Sequence, residues 1–145
     1  VPYNSLAASL KHTDIVTTIT SSSTPVLKGK LLSKGVHVNA VGNNKGYERE
    51  IDSVTVERAD DIWTDSLEQA KRESGDLILA ADDGVEVWNK VKELTDIVTG
   101  KDVGRFSEEQ VTLFKSNGIA LEDLVVANYV YETALKSNVG KELDI

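Results

Sequence analysis

The segment Gly35-Val36-His37-Val38-Asn39-Ala40-Val41-Gly42-Asn43-Asn44-Lys45-Gly46 puts an imidazole and a carboxamide into a short apolar run. That run leads straight into a glycine-bounded polar turn. A strand buried on both faces is close to uniformly apolar. Here His37 and Asn39 break the rule on one face, while Val36, Val38 and Ala40 keep it on the other. Burying such groups costs free energy unless partners satisfy them. Polar matter, either protein or ligand, is therefore expected at the carboxyl end of this strand.

Other residues with chemical potential are sparser. Ser21, Ser22, Ser23 and Thr24 offer hydroxyls and backbone N–H groups to a phosphate or ribose. Neither G-x-G-x-x-G nor G-x-x-x-x-G-K-[ST] occurs, so the usual pyrophosphate cradle is absent from the chain. A serine nucleophile needs a nearby base, and the only histidines are His12, at an expected exposed helix end, and His37. Two lone histidines without paired spacing do not make a metal site. Asp82-Asp83 and Glu108-Glu109 read as solvated pairs at helix starts, where negative charge is favourable.

The elements that position these groups follow from periodicity. Asn4 is expected to cap a helix to about Lys11, and Asp14 to Thr20 is a β-branched strand. A helical turn over 26–33 precedes the strand Val36 to Val41. Ile51 to Arg58 reads as helix and Asp61 to Asp65 as a third strand. Ser66 and Gln69 have capping-box spacing for a helix that stops at Gly75. Leu77 to Ala81 carries no clear period, Val85 to Val98 has helical spacing, and Val111 to Phe114 reads as extended. The longest helix is expected from Ile119 to Leu135, apolar on more than one face, hence sandwiched between layers or docked on another domain. Lys141 to Ile145 reads as a final edge strand.

Strands alternating with helices imply parallel pairing in an α/β sheet. Polar clusters then fall at three strand ends: Thr20 to Ser23, Asn39 to Asn44, and Asp65-Ser66. Ligands of open parallel sheets bind beyond those ends.

Composition narrows the partners. The 145 residues fit one domain, able to bury roughly two-thirds of the unfolded surface. A net charge of −8, spread along the chain, argues against nucleic acid, which needs a clustered basic face. Lys28, Lys30 and Lys34 read as a solvated group. No apolar run approaches the ~18 residues of a membrane span. The absence of cysteine excludes thiolate chemistry and fits a cytoplasmic setting. The absence of methionine, and an opening Val1-Pro2-Tyr3 that looks like the tail of a strand, give the expectation of a piece of a longer protein or a trimmed chain.

Four segments in this order carry a resemblance: Asp14-Ile-Val-Thr-Thr-Ile-Thr-Ser-Ser22, Gly35-Val-His-Val-Asn-Ala-Val-Gly42, Arg49-Glu-Ile-Asp52 and Thr112-Leu-Phe-Lys-Ser-Asn-Gly118. The chain resembles the ornithine cyclodeaminase and mu-crystallin family, which includes archaeal-type alanine dehydrogenases and ketimine reductases. The resemblance implies roughly the last two-fifths of a member: a three-layer Rossmann-like parallel sheet, being the nicotinamide-side half of the NAD(P)-binding domain over 1–100. It implies a return segment over 101–145, whose helix and strand belong to a missing substrate and dimerisation domain. The implied cofactor is NAD or NADP, the substrate an amino acid or its imine, and the parent a homodimer.

Residue by residue, the resemblance implies cofactor contacts at Thr20, Val38, Asn39, Ala40, Val41 and Ser116, with Asn117 beside the substrate. Asn44 stands where cyclodeaminases and alanine dehydrogenases carry a proton-transferring aspartate, and an amide does not titrate near neutral pH. Glu48 replaces a cofactor-contacting lysine. These departures weigh against a cyclodeaminase. They leave a reductase or dehydrogenase with another proton donor, or a non-catalytic binding protein of the mu-crystallin type. The chain by itself is expected to be inactive. It is also expected to self-associate through the open edge at Asp14 to Thr20, or to bind its complementary N-terminal part.

Overall fold

Consecutive apolar strands return to one sheet in parallel because each connection is long enough to cross it. A computed structural model describes residues 4–141 and 143. In it five parallel strands, β1 (Ile15–Thr18), β2 (His37–Ala40), β3 (Asp61–Thr64), β4 (Val91–Glu93) and β5 (Thr112–Lys115), lie in the order β1-β2-β5-β3-β4. The helices are α1 (Leu6–Leu10), α2 (Ser53–Arg58), α3 (Leu67–Glu73), α4 (Gly75–Asp82), α5 (Leu94–Val98) and α6 (Ala120–Ser137), with a 3-10 turn over Gly29–Leu31. The α/β parallel architecture expected from the sequence holds.

Register fixes two different sheet faces. Val16, Val38, Leu113, Ile62 and Val91 align across the sheet and meet Val56, Ala70, Leu77 and Ala80 from α2, α3 and α4 in one core. The opposite face carries Thr17, His37, Asn39, Phe114 and Trp63, of which His37, Asn39 and Phe114 are half-buried. The expected split of β2 into an apolar and a polar side is thus observed.

Several local expectations shift. Ser5, not Asn4, caps α1, its hydroxyl accepting from the Ala8 N–H at 3.2 Å. Asp52 caps α2 and also accepts from the Gly29 N–H, tying the 3-10 turn to the helix. Ser66 caps α3, but only half the capping box forms, since the Gln69 amide reaches Glu73 and the Gly118 carbonyl. Gly75 both follows one helix and opens the next, α4, which takes up the unassigned run Leu77 to Ala81.

Val85 to Val98 is not one helix. Gly84 turns the chain at φ +95°, Val87 and Val91 are buried, and Val91 pairs with Ile62 in the sheet before α5 begins at Leu94. Burial of β-branched side chains at the sheet edge overrides the helical period. Asp82 and Asp83 lie at the carboxyl end of α4 rather than at a helix start, and the Arg49 guanidinium compensates Asp83 at 2.7 Å. Glu108 and Glu109 sit in the turn before β5.

The long helix α6 forms as expected and ends at Asn138 in the left-handed conformation. No residue of it is buried, so its apolar side chains meet no layer among the described residues. The expected strand over 141–145 falls mostly outside the described residues, and Lys141 and Leu143 are irregular. The strand-like reading of residues 1–3 also lies outside them.

Candidate functional site

The carboxyl ends of β1, β2, β5 and β3 are contiguous in the sheet, so the loops that follow them form one rim. A cleft of about 170 Å³ opens between the loops after β1 and β2. Thr20, Ser21 and Ser22 line one wall, and Gly42, Asn43, Asn44, Lys45 and Glu48 the other.

Three fully buried charged side chains lie beneath this rim: Glu50, Asp76 and Lys115, each 0% exposed. The Glu50 carboxylate accepts from the Thr20 N–H and, at 2.9 Å, from the Gly42 N–H. Asp76, in the first turn of α4, accepts from the Glu50 and Ile51 N–H groups at 2.7 and 3.0 Å. Its other oxygen stands 3.2 Å from Lys115 Nζ, an ion-pair contact. Lys115 donates to the Asn43 carbonyl and, at 3.0 Å, to that of Ser116. Glu50 is thus compensated by backbone donors alone, and Asp76 and Lys115 by each other and by backbone groups.

Asp65 organises the other side of the rim. One carboxylate oxygen accepts from the Ser116 hydroxyl at 2.7 Å and from the Asn117 and Gly118 N–H groups at 3.0 and 2.8 Å. The other accepts from Thr64 and from the Ser66 N–H. Burial pushes the carboxyl upward, but the Ser116 hydroxyl, the Gly118 N–H, the Thr64 hydroxyl and the Ser66 N–H together hold it below the ordinary carboxylate range.

The residues marked in the sequence are distributed unevenly around this rim. Thr20 and Asn44 line the cleft, and both are exposed. Ser116 and Asn117 lie on the neighbouring loop after β5, where both polar atoms of the Asn117 side chain are buried without a partner. Val38 and Ala40 point into the core, Asn39 lies on the opposite face, and Val41 follows the strand. Asn39 accepts from His37 Nε2 at 3.1 Å, so these two polar side chains satisfy each other in part. His12 is exposed after α1.

Glu50, Asp76 and Lys115 were not singled out from the sequence as site residues. Their signal is a charge inside a run meant for burial: Lys115 closes Val-Thr-Leu-Phe, and Asp76 precedes Leu-Ile-Leu-Ala-Ala. Glu48 and Lys45 pair at 3.1 Å, and Asn44 does not titrate. No side chain lining the cleft is therefore an unpaired acid or base among the described residues. Nor do the described residues gather a group of His, Asp or Glu that could hold a metal ion, and no helix among them is long and apolar enough to cross a membrane.

Comparison with known proteins agrees with this geometry. The model of the ornithine cyclodeaminase/mu-crystallin family matches residues 3–138. A Delta(1)-pyrroline-2-carboxylate reductase of Bacillus cereus is 39% identical over 98% of the chain and 44% of its own length. The Thermococcus litoralis Delta(1)-pyrroline-2-carboxylate reductase, solved with NADH and L-proline, superposes with a TM-score of 0.89 at 37% identity, over 96% of this chain and 43% of that one. An archaeal alanine dehydrogenase dimer with bound NAD gives 0.79 at 36% identity, over 91% and 41%. The chain thus spans less than half the length of these relatives. With the family model covering nearly all of it, the chain belongs to the ornithine cyclodeaminase/mu-crystallin family.

Proposed function

We propose that this chain forms the nicotinamide end of a cofactor site in an NAD(P)-dependent oxidoreductase acting on an amino acid or its imine. The observation that carries the reading is the convergence of four strand ends on one rim of hydroxyls, side-chain amides and the unpartnered Asn117 amide. The rim fits one end of a dinucleotide. The cleft is too small for the whole, and no glycine-rich pyrophosphate turn occurs in the chain. The solved relatives bind NADH with L-proline and NAD, which supports the same class of ligand.

In this reading Thr20, Val38, Asn39, Ala40, Val41 and Ser116 contact the cofactor, Val38 and Ala40 through backbone alone, and Asn117 faces the substrate. When bound, the nicotinamide supplies hydride transfer at its C4. The chain's own residues orient that ring and exclude water. Asn44 holds the place of a proton-transferring acid without being able to move a proton. The proton must come from elsewhere in the parent or from water. The return segment over 101–145 first adds β5 to the sheet of the cofactor domain of 1–100 and then, from α6, leads out to a substrate and dimerisation domain of a homodimeric parent. A cytoplasmic setting belongs to the same reading.

Titration of the chain with NADH, followed by amide NMR, tests it. Shifts confined to Thr20, Val38 to Asn44, Ser116 and Asn117 are expected, with no turnover of pyrroline-2-carboxylate or of a keto acid with ammonia. Absence of any shift would sink the cofactor assignment. A second reading, a non-catalytic binding protein, is favoured by Asn44 alone. Tight NADH binding by the full-length parent without turnover on a panel of imines and amino acids would establish it.

A further inference from the structure

A buried network of charged side chains is seldom a net gain in stability, because a well-packed apolar replacement often does as well. Glu50, Asp76 and Lys115 are buried completely, at the point where three loops leave the sheet. The partners of Glu50 and Lys115 are backbone groups of the rim, while Asp76 holds the buried Glu50 and Ile51 N–H groups behind it. Glu50 takes the N–H of Thr20 after β1 and of Gly42 after β2. Lys115 takes the carbonyls of Asn43 after β2 and of Ser116 after β5. Asp76 joins the two, binding the Glu50 N–H with one oxygen and facing the Lys115 ammonium with the other.

Gly42 shows how closely the carboxylate is fitted. A Cβ there would run into both Glu50 carboxylate oxygens and the Thr20 nitrogen, so the carboxylate fills the space a side chain would need. The loop after β2 is held at both ends of a two-residue stretch, by its Gly42 donor and its Asn43 acceptor. That stretch immediately precedes Asn44 in the cleft wall.

We propose that Glu50, Asp76 and Lys115 are positioning residues: a buried charge clamp that fixes the Thr20, Gly42–Asn43 and Ser116 backbone so that the cleft is preformed before ligand arrives. The clamp acts at the site read above as the nicotinamide end, and rests on that reading for its ligand. It touches neither ligand nor solvent. Its contribution is to keep the rim from collapsing or splaying, so that binding does not have to order three loops at once.

The test exploits the difference between an oxygen and an amide nitrogen. Glu50→Gln keeps the volume of the side chain but offers one acceptor where the carboxylate offers two. Amide hydrogen exchange of the 145-residue chain should show Thr20 and Gly42 protected although both lie outside strands. In Glu50→Gln one of the two should exchange roughly ten- to hundredfold faster, while the Ile62 and Leu113 amides keep their native rates. Rapid exchange of both amides in the native chain would by itself overturn the clamp, whether or not any variant folds. Native rates at both in Glu50→Gln, or equal acceleration in the core, would overturn it too. Lys115→Met provides the second variant, expected to move the Asn43 and Ser116 carbonyl carbon shifts and leave those of β3 in place.

NADH titration of the native chain and Glu50→Gln separates this proposal from the cofactor reading. Several-fold weaker binding by the variant supports both. Equal binding overturns the positioning role. No response from the native chain, with the exchange pattern as expected, sinks the dinucleotide reading and leaves the clamp standing.

Discussion

His37 Nε2 donates to Asn39 Oδ1 at 3.1 Å, joining two side chains on the same face of β2. The other ring nitrogen stands 2.8 Å from Thr112 Oγ1, and that hydroxyl accepts from Arg105 Nη2 at 3.0 Å. With Nε2 donating to the Asn39 oxygen, a neutral ring leaves Nδ1 to accept the Thr112 hydroxyl proton, which is the Nε2–H tautomer. Asn39 Nδ2 continues the line to Thr17 Oγ1 at 3.4 Å, so one polar relay crosses β5, β2 and β1.

A pH dependence follows. Burial pushes the imidazole below its ordinary value; the Asn39 contact opposes this, and the Arg105 charge reinforces it. The unfolded chain then takes up a proton before the folded one does. Stability contributed by His37 is present above the unfolded pKa of about 6.5 and is lost as pH falls from there toward the folded value. Urea denaturation between about pH 7.5 and 5.5 should show this slope, and His37→Gln should flatten it. Nitrogen NMR of the ring should report the Nε2–H form at neutral pH.

Asp65 should behave with the opposite charge logic. Its carboxyl is held below the ordinary range, so its contribution is present above the unfolded pKa and is lost as pH falls through the folded one. Asp65→Asn leaves the Ser116, Asn117 and Gly118 donors short of acceptors, at a cost of about 1–3 kcal/mol. Urea unfolding at neutral pH measures the loss, and faster exchange at Asn117 and Gly118 would place it on the loop after β5.

Gly42→Ala should destabilise by about 1–3 kcal/mol, as overpacking against a buried group does. The new methyl displaces the Glu50 carboxylate, because the Thr20 nitrogen closes the other side. Gly84→Ala makes a useful contrast: nothing lies near its Cβ, so the cost there comes only from φ +95°. Denaturation midpoints of both variants, with Thr20 amide shifts, check the distinction.

Self-association is expected from two exposed surfaces. Ile15 and Ile19 are 63% and 72% exposed at the open edge of β1, and α6 displays Leu124, Val130 and Tyr131 to solvent. Ile15→Lys with Leu124→Glu should lower the mass measured by light scattering, with a change in stability within about 0.5 kcal/mol for each. A native chain that stays monomeric at high concentration would refute the expectation.

Much of the fold is legible locally. The β-branched run at 14–20, the apolar alternation at 36–41 and the cap at Ser66 each name their element, because period and capping are properties of neighbouring residues. The segment 85–98 misleads for the converse reason. Its helical period is real, but Val91 gains more by completing the sheet beside Ile62 than by continuing a helix. The place of β5 between β2 and β3 is also not visible in the sequence, since pairing order depends on contacts between distant segments.

The sequence by itself determined that this is a parallel α/β chain of the ornithine cyclodeaminase/mu-crystallin family with polar strand ends, and that position 44 holds an asparagine. Only the tertiary structure decided what holds those ends in place. Asp76 and Lys115 stand beside apolar runs, but nothing in one dimension says what they or Glu50 pair with. Once the sheet forms, burial removes their water, and among the described residues the compensation comes from the Asp76–Lys115 contact and from backbone groups that the fold brings to them.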